Sequence, residues 1–541
     1  MKKAVSILLA ILMLASMLTA CGGNSASTPN TPASDTPAAS NEQASGKEET
    51  TPVEVDPGRA VKDTLNIALA YDISSLDPQV GKEMRACIVS QQIFDTLVQW
   101  DIEGGMGSEI VPALAESWEY LDDCTLQLKL RQDVLFHNGE KMTADDVVYS
   151  IERTMNSKYV AYHATAIDHV EKVDDYTVNI VTKEPYAPLL AGLCVTAFSV
   201  VCKSVAEADE EGFAEHPVGT GPYKFVSYTS GDNIQLEAFD DCWRGTPVTK
   251  HINMVIIPEN SQRTVMLETG EADIAYEILP NDVSRIDEND ELTTATIQGT
   301  KTYVMRFNYD SDGPVGNKLV RQAIEYCLDR EKMCEVILYG HGSPAYGNVT
   351  PASVAYQEVE KRTQDFEKAK ELLAEAGYAD GFDMNLWIST DVILTQYANI
   401  IQSELAKVNI NVNIVTLESS ALISSTKNDK DNFDALLNFA NDLTLDSRYY
   451  LYNFFYSGSS NNSSYMNNAR LDELLVEGRK IIDPKDSADI YKEISDILMD
   501  ERPEIPLYND EIIVGLSKDV FGFVPKAQGI HVLGVEIGCY E

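Results

Sequence analysis

Two periodicities of apolar residues alternate along this chain, and together they restrict its fold class more than any other feature. Residues 64–70 and 126–130 alternate polar and apolar side chains, which is typical of half-buried β-strands. Residues 252–257 and 412–417 are rich in β-branched residues and predict buried strands. Because helical segments lie between such strands, the pattern predicts an α/β or α+β protein with several sheets.

The helical segments carry their own start and stop signals. Thr143 is a good N-cap, and Val147 and Ile151 follow it on one helical face. Asp365 is expected to cap a second amphipathic helix, which Gly377 ends. The 3.6-residue spacing over residues 320–338 and 488–499 predicts two more helices.

The cysteines do not form a recognisable framework. The chain has nine of them, spread along its length without a Cys-x-x-Cys pair, which indicates neither a disulfide scaffold nor a zinc site. Cys327 and Cys334 fall within the single helix predicted for 320–338 and are expected to be small buried residues. A bridge such as Cys194–Cys202 remains an open alternative.

The N-terminus has the composition of an export signal. Lys2 and Lys3 precede an apolar stretch that is too short to span a membrane. It ends in Leu18-Thr-Ala-Cys21, which resembles a bacterial lipobox and implies cleavage of residues 1–20 and lipidation of Cys21. An ordinary signal peptide with an incidental cysteine is the alternative. Residues 21–60 are mostly Ser, Thr, Pro, Ala, Asn and Glu, and we expect a disordered linker.

The charge of the chain excludes some classes of partner. Asp and Glu number 85 against 42 Lys and Arg, which gives a formal net charge of −43. Nucleic acid and anionic lipid surfaces both need basic patches, so neither is an expected partner. The seven histidines lack metal-ligand spacing, and no phosphate-binding loop follows Gly219-Thr-Gly221. We therefore predict no metal and no cofactor.

Several local strings, taken in order, resemble one protein family. They are PALAESW at 112–118, VLFHNG at 134–139, TADDVVYS at 143–150, PVGTGPY at 217–223, DCWRG at 241–245, GEADI at 270–274, VRQAI at 320–324, KAKELLAEAG at 368–377 and RPEIPLY at 502–508. Each string alone is weak, but their joint order and spacing are specific. The chain resembles the extracellular solute-binding proteins of peptide, dipeptide and nickel ABC importers, of the oligopeptide-binding lipoprotein type.

The resemblance implies a bilobed, periplasmic-binding-protein-like class II fold with an extra subdomain and a ligand cleft between the lobes. Lobe I would comprise residues 61–95, 217–300 and 507–541, with 96–216 inserted as the subdomain. Lobe II would be 301–506. The lobes would close over a solute by a hinge. A monomer is expected to deliver that solute to an ABC permease from the outer face of the membrane, in a host expected to be Gram-positive.

The resemblance also implies where a peptide would bind. The string Phe439-Ala-Asn441-Asp442 resembles a Trp-x-x-Asp motif whose acid holds the ligand amine, so Asp442 is the predicted amine contact. The Asp-Pro that usually follows is replaced by Leu445-Asp446, and Asp442 is alternatively a loop residue that hydrogen-bonds its own backbone. The wider set of predicted ligand-binding residues is Asp442, Phe439, Asn441, Trp387, Tyr303 and Tyr449.

Two other functions stay open from the sequence. Residues 386–392 lack the arginine that dipeptide-specific members use, which disfavours strict dipeptide selectivity. A receptor for another polar solute, such as an oligosaccharide or a metal chelate, would have the same fold. A surface peptidase is the alternative from another class, although no Gly-x-Ser-x-Gly is present. The leading prediction is a binding protein and not an enzyme.

Overall fold

The computed structural model describes residues 60–81, 84–101, 109–351, 353–428, 432–442, 444–526, 529–531 and 536–539. The predicted signal segment 1–20, Cys21 and the linker up to residue 59 lie outside these residues. Within them, none of the helices combines the length and the hydropathy that crossing a membrane requires.

The strands are short except for two that are 16 and 14 residues long. In chain order they are β1 Ala60–Val61, β2 Thr64–Leu69, β3 Val98–Trp100, β4 Ile110–Pro112, β5 Ala115–Asp122, β6 Thr125–Leu130, β7 Ile167–Asp174, β8 Thr177–Thr182, β9 Tyr223–Thr229, β10 Asn233–Ala238, β11 His251–Ile256, β12 Ile274–Ala275, β13 Leu292–Phe307, β14 Ser343–Pro344, β15 Phe382–Ser389, β16 Ile410–Leu417, β17 Ala435–Asn441, β18 Glu504–Ser517, β19 Val520–Phe521, β20 Val524–Lys526, β21 Gly529–His531 and β22 Glu536–Cys539.

Helices lie between these strands along most of the chain. They are α1 Met84–Ile93, α2 Ala144–Asn156, α3 Leu189–Gly192, α4 Lys203–Ala208, α5 Asn260–Glu268, α6 Val283–Asp287, α7 Lys318–Tyr326, α8 Arg330–Leu338, α9 Phe366–Glu375, α10 Val392–Ala406, α11 Ser419–Asn428, α12 Ser447–Phe455, α13 Ala469–Gly478 and α14 Ala488–Glu501.

The largest sheet contains most of the longer strands in the order β16-β15-β17-β13-β18-β12-β2-β11-β10-β9, and β14 also pairs with β18. Strand β2 pairs in parallel with β11 and β12, and β15 pairs in parallel with β16 and β17, whereas β13 and β18 are antiparallel. A separate antiparallel sheet has the order β5-β6-β8-β7. The predicted mixture of strands and helices over several sheets is confirmed.

Apolar side chains form separate cores on either side of the long strands. One core joins β13, β15, β16 and β17 to helices α7 to α10. A second joins β2, β9, β10 and β11 to α1, and a third lies between α2 and the four-stranded sheet. The division into lobes and a subdomain stays a prediction.

The capping signals act as the sequence predicts. The Asp146 carboxylate accepts hydrogen bonds from the backbone N–H and the hydroxyl of Thr143, which begins α2. Asp365 accepts the N–H of Lys368 at the start of α9. Gly377 follows the end of that helix with a φ of +87°, a conformation that favours glycine.

The predicted single helix over 320–338 is wrong. This segment contains two helices, α7 and α8, because Asp329 accepts the backbone N–H of Lys332 and caps a new helix. Cys327 therefore lies at the end of α7 and Cys334 within α8, although both are buried as expected. Cys194 and Cys202 are free thiols, so the alternative of a bridge between them is not realised.

The 217–223 string forms a turn in close contact with α1. A Cβ at Gly219 would lie 2.1 Å from the carbonyl oxygen of Ile93, so only glycine fits there. The His137 ring Nε2 lies 2.9 Å from the carbonyl oxygen of Gly221, which joins this turn to the turn at 136–139. Burial lowers the pKa of His137 to about 4, so the ring is neutral at physiological pH.

Candidate ligand-binding site

The two long strands cross the middle of the largest sheet and change register there. Gln298 pairs with Glu511 and Thr302 with Asn509, so β13 has two more residues than β18 between these pairs. Such a bulge bends the strand and redirects side chains. Gly299, Thr300 and Lys301 form the bulge opposite Asp510, and Thr300, Lys301 and Asp510 line a cavity.

This cavity has a volume of about 650 Å³, within the range of small-molecule sites. Its walls come from elements that are distant in sequence. They include Tyr276 to Pro280 after β12, Thr300, Lys301 and Tyr303 of β13, Ser389 to Asp391 before α10, Glu418 and Ser419 at α11, Asn438 and Phe439 of β17, and Tyr508 and Asp510 to Ile513 of β18. A solute in this cavity would therefore contact several segments that are distant from one another in sequence.

Stacked aromatic rings form one wall of the cavity. The rings of Tyr303 and Tyr508 are parallel within 6° with centroids 4.4 Å apart, and Tyr397 stacks on Tyr508 at 4.8 Å. Phe439 lies 5.7 Å from Tyr303, and the Lys301 ammonium lies 5.2 Å from the Phe439 ring. These rings support one another and present a rigid apolar surface to a ligand.

Carboxylates make up most of the charged groups among the described lining residues. The Oδ1 atom of Asp510 accepts a hydrogen bond of 3.0 Å from the backbone N–H of Lys301. Burial raises the pKa of Asp510 to about 6; the ammonium of Lys301 opposes this rise, and the nearby Glu277 carboxylate adds to it. Asp391 caps α10 by accepting the N–H of Leu394.

A buried arginine fixes the backbone that carries Glu277. The Arg263 guanidinium is fully buried and donates hydrogen bonds of 2.8 Å to the carbonyl oxygens of Ile257, Tyr276 and Glu277. Glu277 has a φ of +54°, which is uncommon for a residue with a Cβ. Such local strain concentrates at functional sites, where surrounding contacts hold it in place.

The predicted site residues divide into two groups. Tyr303 and Phe439 line the cavity. Asn441 instead accepts the Thr300 hydroxyl at 2.7 Å from the adjoining strand. Trp387 is 6% exposed and packs in an apolar cluster with Phe433.

Tyr449 and Asp442 lie apart from this cavity. The Tyr449 hydroxyl is 3.4 Å from Nδ1 of His163, and both residues line a second, much smaller cavity. Asp442 is buried, and its carboxylate accepts hydrogen bonds from the hydroxyls of Ser353 and Thr444 and from the N–H of Asp446. Burial raises its pKa to about 6. The ligand roles of all six residues stay a prediction.

The cavity carboxylates are the residues that sequence reasoning missed. Asp510 and Glu511 stand in a strand whose other residues are mostly apolar, which was the available signal. Gly299 within a strand pattern was the second signal, because it suggests a bulge or a close backbone approach. Among the described residues that line the cavity there is no arginine, in keeping with its absence from 386–392.

Comparisons with known proteins agree with this architecture. Residues 109–462 match the family model of the bacterial extracellular solute-binding proteins, family 5 Middle. Heme-binding protein A of Haemophilus influenzae is 29% identical over 491 residues, covering 81% of this chain and 86% of that protein. The dipeptide-binding protein of Escherichia coli K12 is 27% identical over 477 residues, covering 82% and 88%.

A solved structure has the same fold. The periplasmic binding protein DppA from Helicobacter pylori, in complex with the peptide STSA, superposes with a TM-score of 0.77 at 26% identity. The match covers 88% of this chain and 98% of that one. The predicted family and the bilobed α/β fold class are thereby confirmed, and the peptidase alternative falls because these relatives are binding proteins. The chain belongs to family 5 of the bacterial extracellular solute-binding proteins, and it is a substrate-binding protein of an ABC importer rather than an enzyme.

Proposed function

We propose that this protein is a lipid-anchored receptor that captures short peptides in the 650 Å³ cavity and delivers them to an ABC permease. A lipid on Cys21 would hold it at the outer face of the cell membrane, with residues 21–60 as a flexible tether. The single observation that carries the proposal is the cavity at the β13/β18 bulge, with its aromatic wall and its carboxylates.

The chemistry of a peptide fits this lining. A free peptide carries an ammonium group, and enclosing that group requires a carboxylate because an unpaired buried charge is strongly unfavourable. The cavity has such groups, and Lys301 is available for the peptide's own carboxylate. Relatives include proteins named for dipeptide and glutathione binding, which supports a peptide as the solute.

A receptor for another polar solute is the second candidate. The relatives also include a heme-binding protein and a binding protein solved with agropinic acid, so the family name alone does not fix the solute. The strong excess of carboxylates over cations in the lining makes a solute with several free acid groups a poor fit.

The solute is identified most directly by native mass spectrometry of protein purified without denaturation. We expect a bound mass that fragments into amino acids. A sugar or a chelate would favour the second candidate. After the bound solute is removed by unfolding and refolding, calorimetry with the same compound should restore one-to-one binding.

The anchor is tested separately in cells. Wild-type protein should incorporate an alkyne analogue of palmitate and sediment with membranes, because two or more acyl chains give a durable tether. Cys21→Ser should lose the label and be recovered away from the membrane fraction. Unchanged membrane association of Cys21→Ser would contradict lipid anchoring and leave solute capture unaffected.

A further inference from the structure

The carboxylates in the cavity outnumber its cations. The acidic lining residues are Glu277, Asp391, Glu418, Asp510 and Glu511. Lys301 is the one lysine among the described lining residues, and His341 lies with its Nδ1 3.0 Å from the Glu511 carboxylate. An excess of one sign of charge in a walled cleft raises the local concentration of solutes of the opposite sign.

Asp510 is held in one position at the centre of this excess. Its Oδ1 atom accepts the Lys301 N–H at 3.0 Å, and its carboxylate occupies the space above Gly299. A Cβ at Gly299 would be 2.1 Å from that oxygen, so the bulge makes room for the carboxylate itself. A carboxylate fixed in this way needs little reorganisation when a ligand binds.

Two further carboxylates converge on the same place from separate elements. Burial and the charges of Asp510, Asp391 and Glu277 raise the pKa of the Tyr303 hydroxyl well above its usual value. These acids come from β18, the N-cap of α10 and the strained turn after β12. All three acids and Tyr303 line the one cavity, so three separate elements contribute negative charge to the same enclosed volume.

We propose that the cavity selects a solute with an ammonium or guanidinium group besides any terminal charge, and that Asp510 is the residue that holds this group. The inference rests on the proposed function of solute capture and deepens it by naming the class of solute. Tyr303 and Phe439 would pack against the alkyl stem of the charged group, as aromatic faces do beside cations.

The titration of Asp510 agrees with this geometry. Burial raises its pKa to about 6, which means that the ionised carboxylate lacks full compensation from its protein surroundings. A cation that binds beside it would favour the ionised form. The other titratable groups among the described lining residues are the acids Glu277, Asp391, Glu418 and Glu511, the bases Lys301 and His341, and the tyrosines Tyr71, Tyr276, Tyr303 and Tyr508.

Three tripeptides that differ in one side-chain charge test the selectivity by calorimetry at pH 7.5. They are Ala-Lys-Ala, Ala-Gln-Ala and Ala-Glu-Ala, each with free termini. For wild-type protein we expect the lysine peptide to bind at least about tenfold more tightly than the glutamine peptide, and the glutamate peptide to bind most weakly. Asp510→Asn, which keeps the size and an acceptor for the Lys301 N–H, should reduce the preference to less than about threefold.

Asp434→Asn is the matched control. The Asp434 carboxylate also accepts a backbone N–H, that of Asn385 at 2.7 Å, and burial also raises its pKa, but it lies outside the cavity lining. This variant should keep the wild-type preference. Equal binding of the three peptides to wild-type protein, or an unchanged preference in Asp510→Asn, would overturn the inference and leave peptide capture standing.

Failure of the proposed function gives a different pattern. If none of the tripeptides binds to wild-type protein, native mass spectrometry of the co-purified solute decides the question of charge. A cationic solute that is not a peptide would support the inference and exclude peptides as the natural solute. A neutral or anionic solute would overturn the inference. Absence of any bound solute would overturn both.

Thermal denaturation separates a binding role of Asp510 from a merely structural one. Ligand-free Asp510→Asn should unfold at a higher temperature than wild-type protein at pH 7.5, because the variant no longer buries a charge. A lower unfolding temperature together with weaker binding would assign Asp510 to structure and overturn its role as the ligand's partner.

Discussion

At the scale of single residues, the charge on Asp510 sets a pH dependence of stability. Its pKa is about 6 in the folded protein, above the value of 3.8 for an ordinary aspartate. The folded state therefore holds a proton that the unfolded state has lost between about pH 4 and 6. The contribution of Asp510 to the free energy of unfolding is therefore complete below about pH 4, and it is lost as the pH rises through about 6.

The difference between wild-type protein and Asp510→Asn isolates this group. We expect the variant to be more stable by roughly 1 to 2 kcal/mol at pH 7.5, less than the full pKa shift implies because the cavity admits water. The difference in stability between the variant and wild-type protein should become smaller towards about pH 4. Urea denaturation of both ligand-free proteins at pH 4.5 and 7.5 measures it, and a variant that is less stable at pH 7.5 would contradict the account.

Residue-scale signals differed in how well they could be read from the sequence. The caps at Thr143, Asp329 and Asp365 are local, since at each a carboxylate accepts the backbone N–H of a residue three positions away, and two of the three were predicted. Asp510 lies 211 residues from Gly299, the residue that makes room for it. No local pattern contains that pairing, so the central carboxylate of the cavity was invisible until the strands were paired.

At the scale of elements, the β13 bulge is expected to position Asp510. Gly299→Ala would place a Cβ 2.1 Å from the Asp510 Oδ1 atom, so the carboxylate must move. We expect affinity for Ala-Lys-Ala to fall at least about threefold, as the lost preference of Asp510→Asn implies, because the same contact is lost. Gly231→Ala, in the β9–β10 turn, is the control for binding: no atom lies near its added Cβ, and the backbone strain at its φ of +73° should lower stability and leave the affinity unchanged. Wild-type affinity in Gly299→Ala would show that the bulge does not position Asp510 for binding.

The turn after β12 depends on a buried arginine. Arg263→Ala removes the guanidinium that donates to the carbonyl oxygens of Ile257, Tyr276 and Glu277, and we expect a loss of about 3 kcal/mol in the free energy of unfolding. Arg285→Ala removes an exposed ion pair with Glu268 and should change stability by less than about 0.5 kcal/mol. Urea denaturation of both variants checks this. Equal effects would mean that Arg263 does not hold the turn.

At the scale of the whole molecule, the subdomain predicted for 96–216 contacts a distant part of the chain. The Glu184 carboxylate lies 3.1 Å from the Arg479 guanidinium and 2.6 Å from the Lys480 ammonium, and the Ala187 N–H donates to the Arg479 carbonyl oxygen. Nearby, His163 meets Tyr449. We expect these contacts to form as the protein closes over its solute.

Glu184→Gln tests this contact. Exposed ion pairs contribute at most about 1 kcal/mol each, so affinity for Ala-Lys-Ala should fall about two- to fivefold. Asp145→Asn breaks the ion pair with Lys172 inside the same subdomain and should not alter affinity. Calorimetry on both variants gives the comparison, and equal affinities would show that the Glu184 contact does not belong to closure.

The fold of the whole molecule was predictable, whereas its ligand site was predictable only in part. Family strings along the chain implied two lobes, and their order is a global signal. Tyr303 and Phe439, two of the predicted ligand-binding residues, line the cavity, and their contact with a ligand stays a prediction. The Asp442 carboxylate accepts hydrogen bonds from Ser353, Thr444 and Asp446. The bond from the Asp446 N–H fits the alternative of a loop residue that bonds its own backbone, whereas Ser353 is too distant in sequence for local spacing to reveal. A ligand role for Asp442 stays a prediction.

Closure of two lobes over a solute is the central claim, and small-angle X-ray scattering tests it most directly. Calorimetry first establishes saturation with Ala-Lys-Ala, and scattering then compares the free and saturated protein at the same concentration. The account predicts a smaller radius of gyration in the saturated sample, as the hinge closes. An unchanged radius at proven saturation would contradict it.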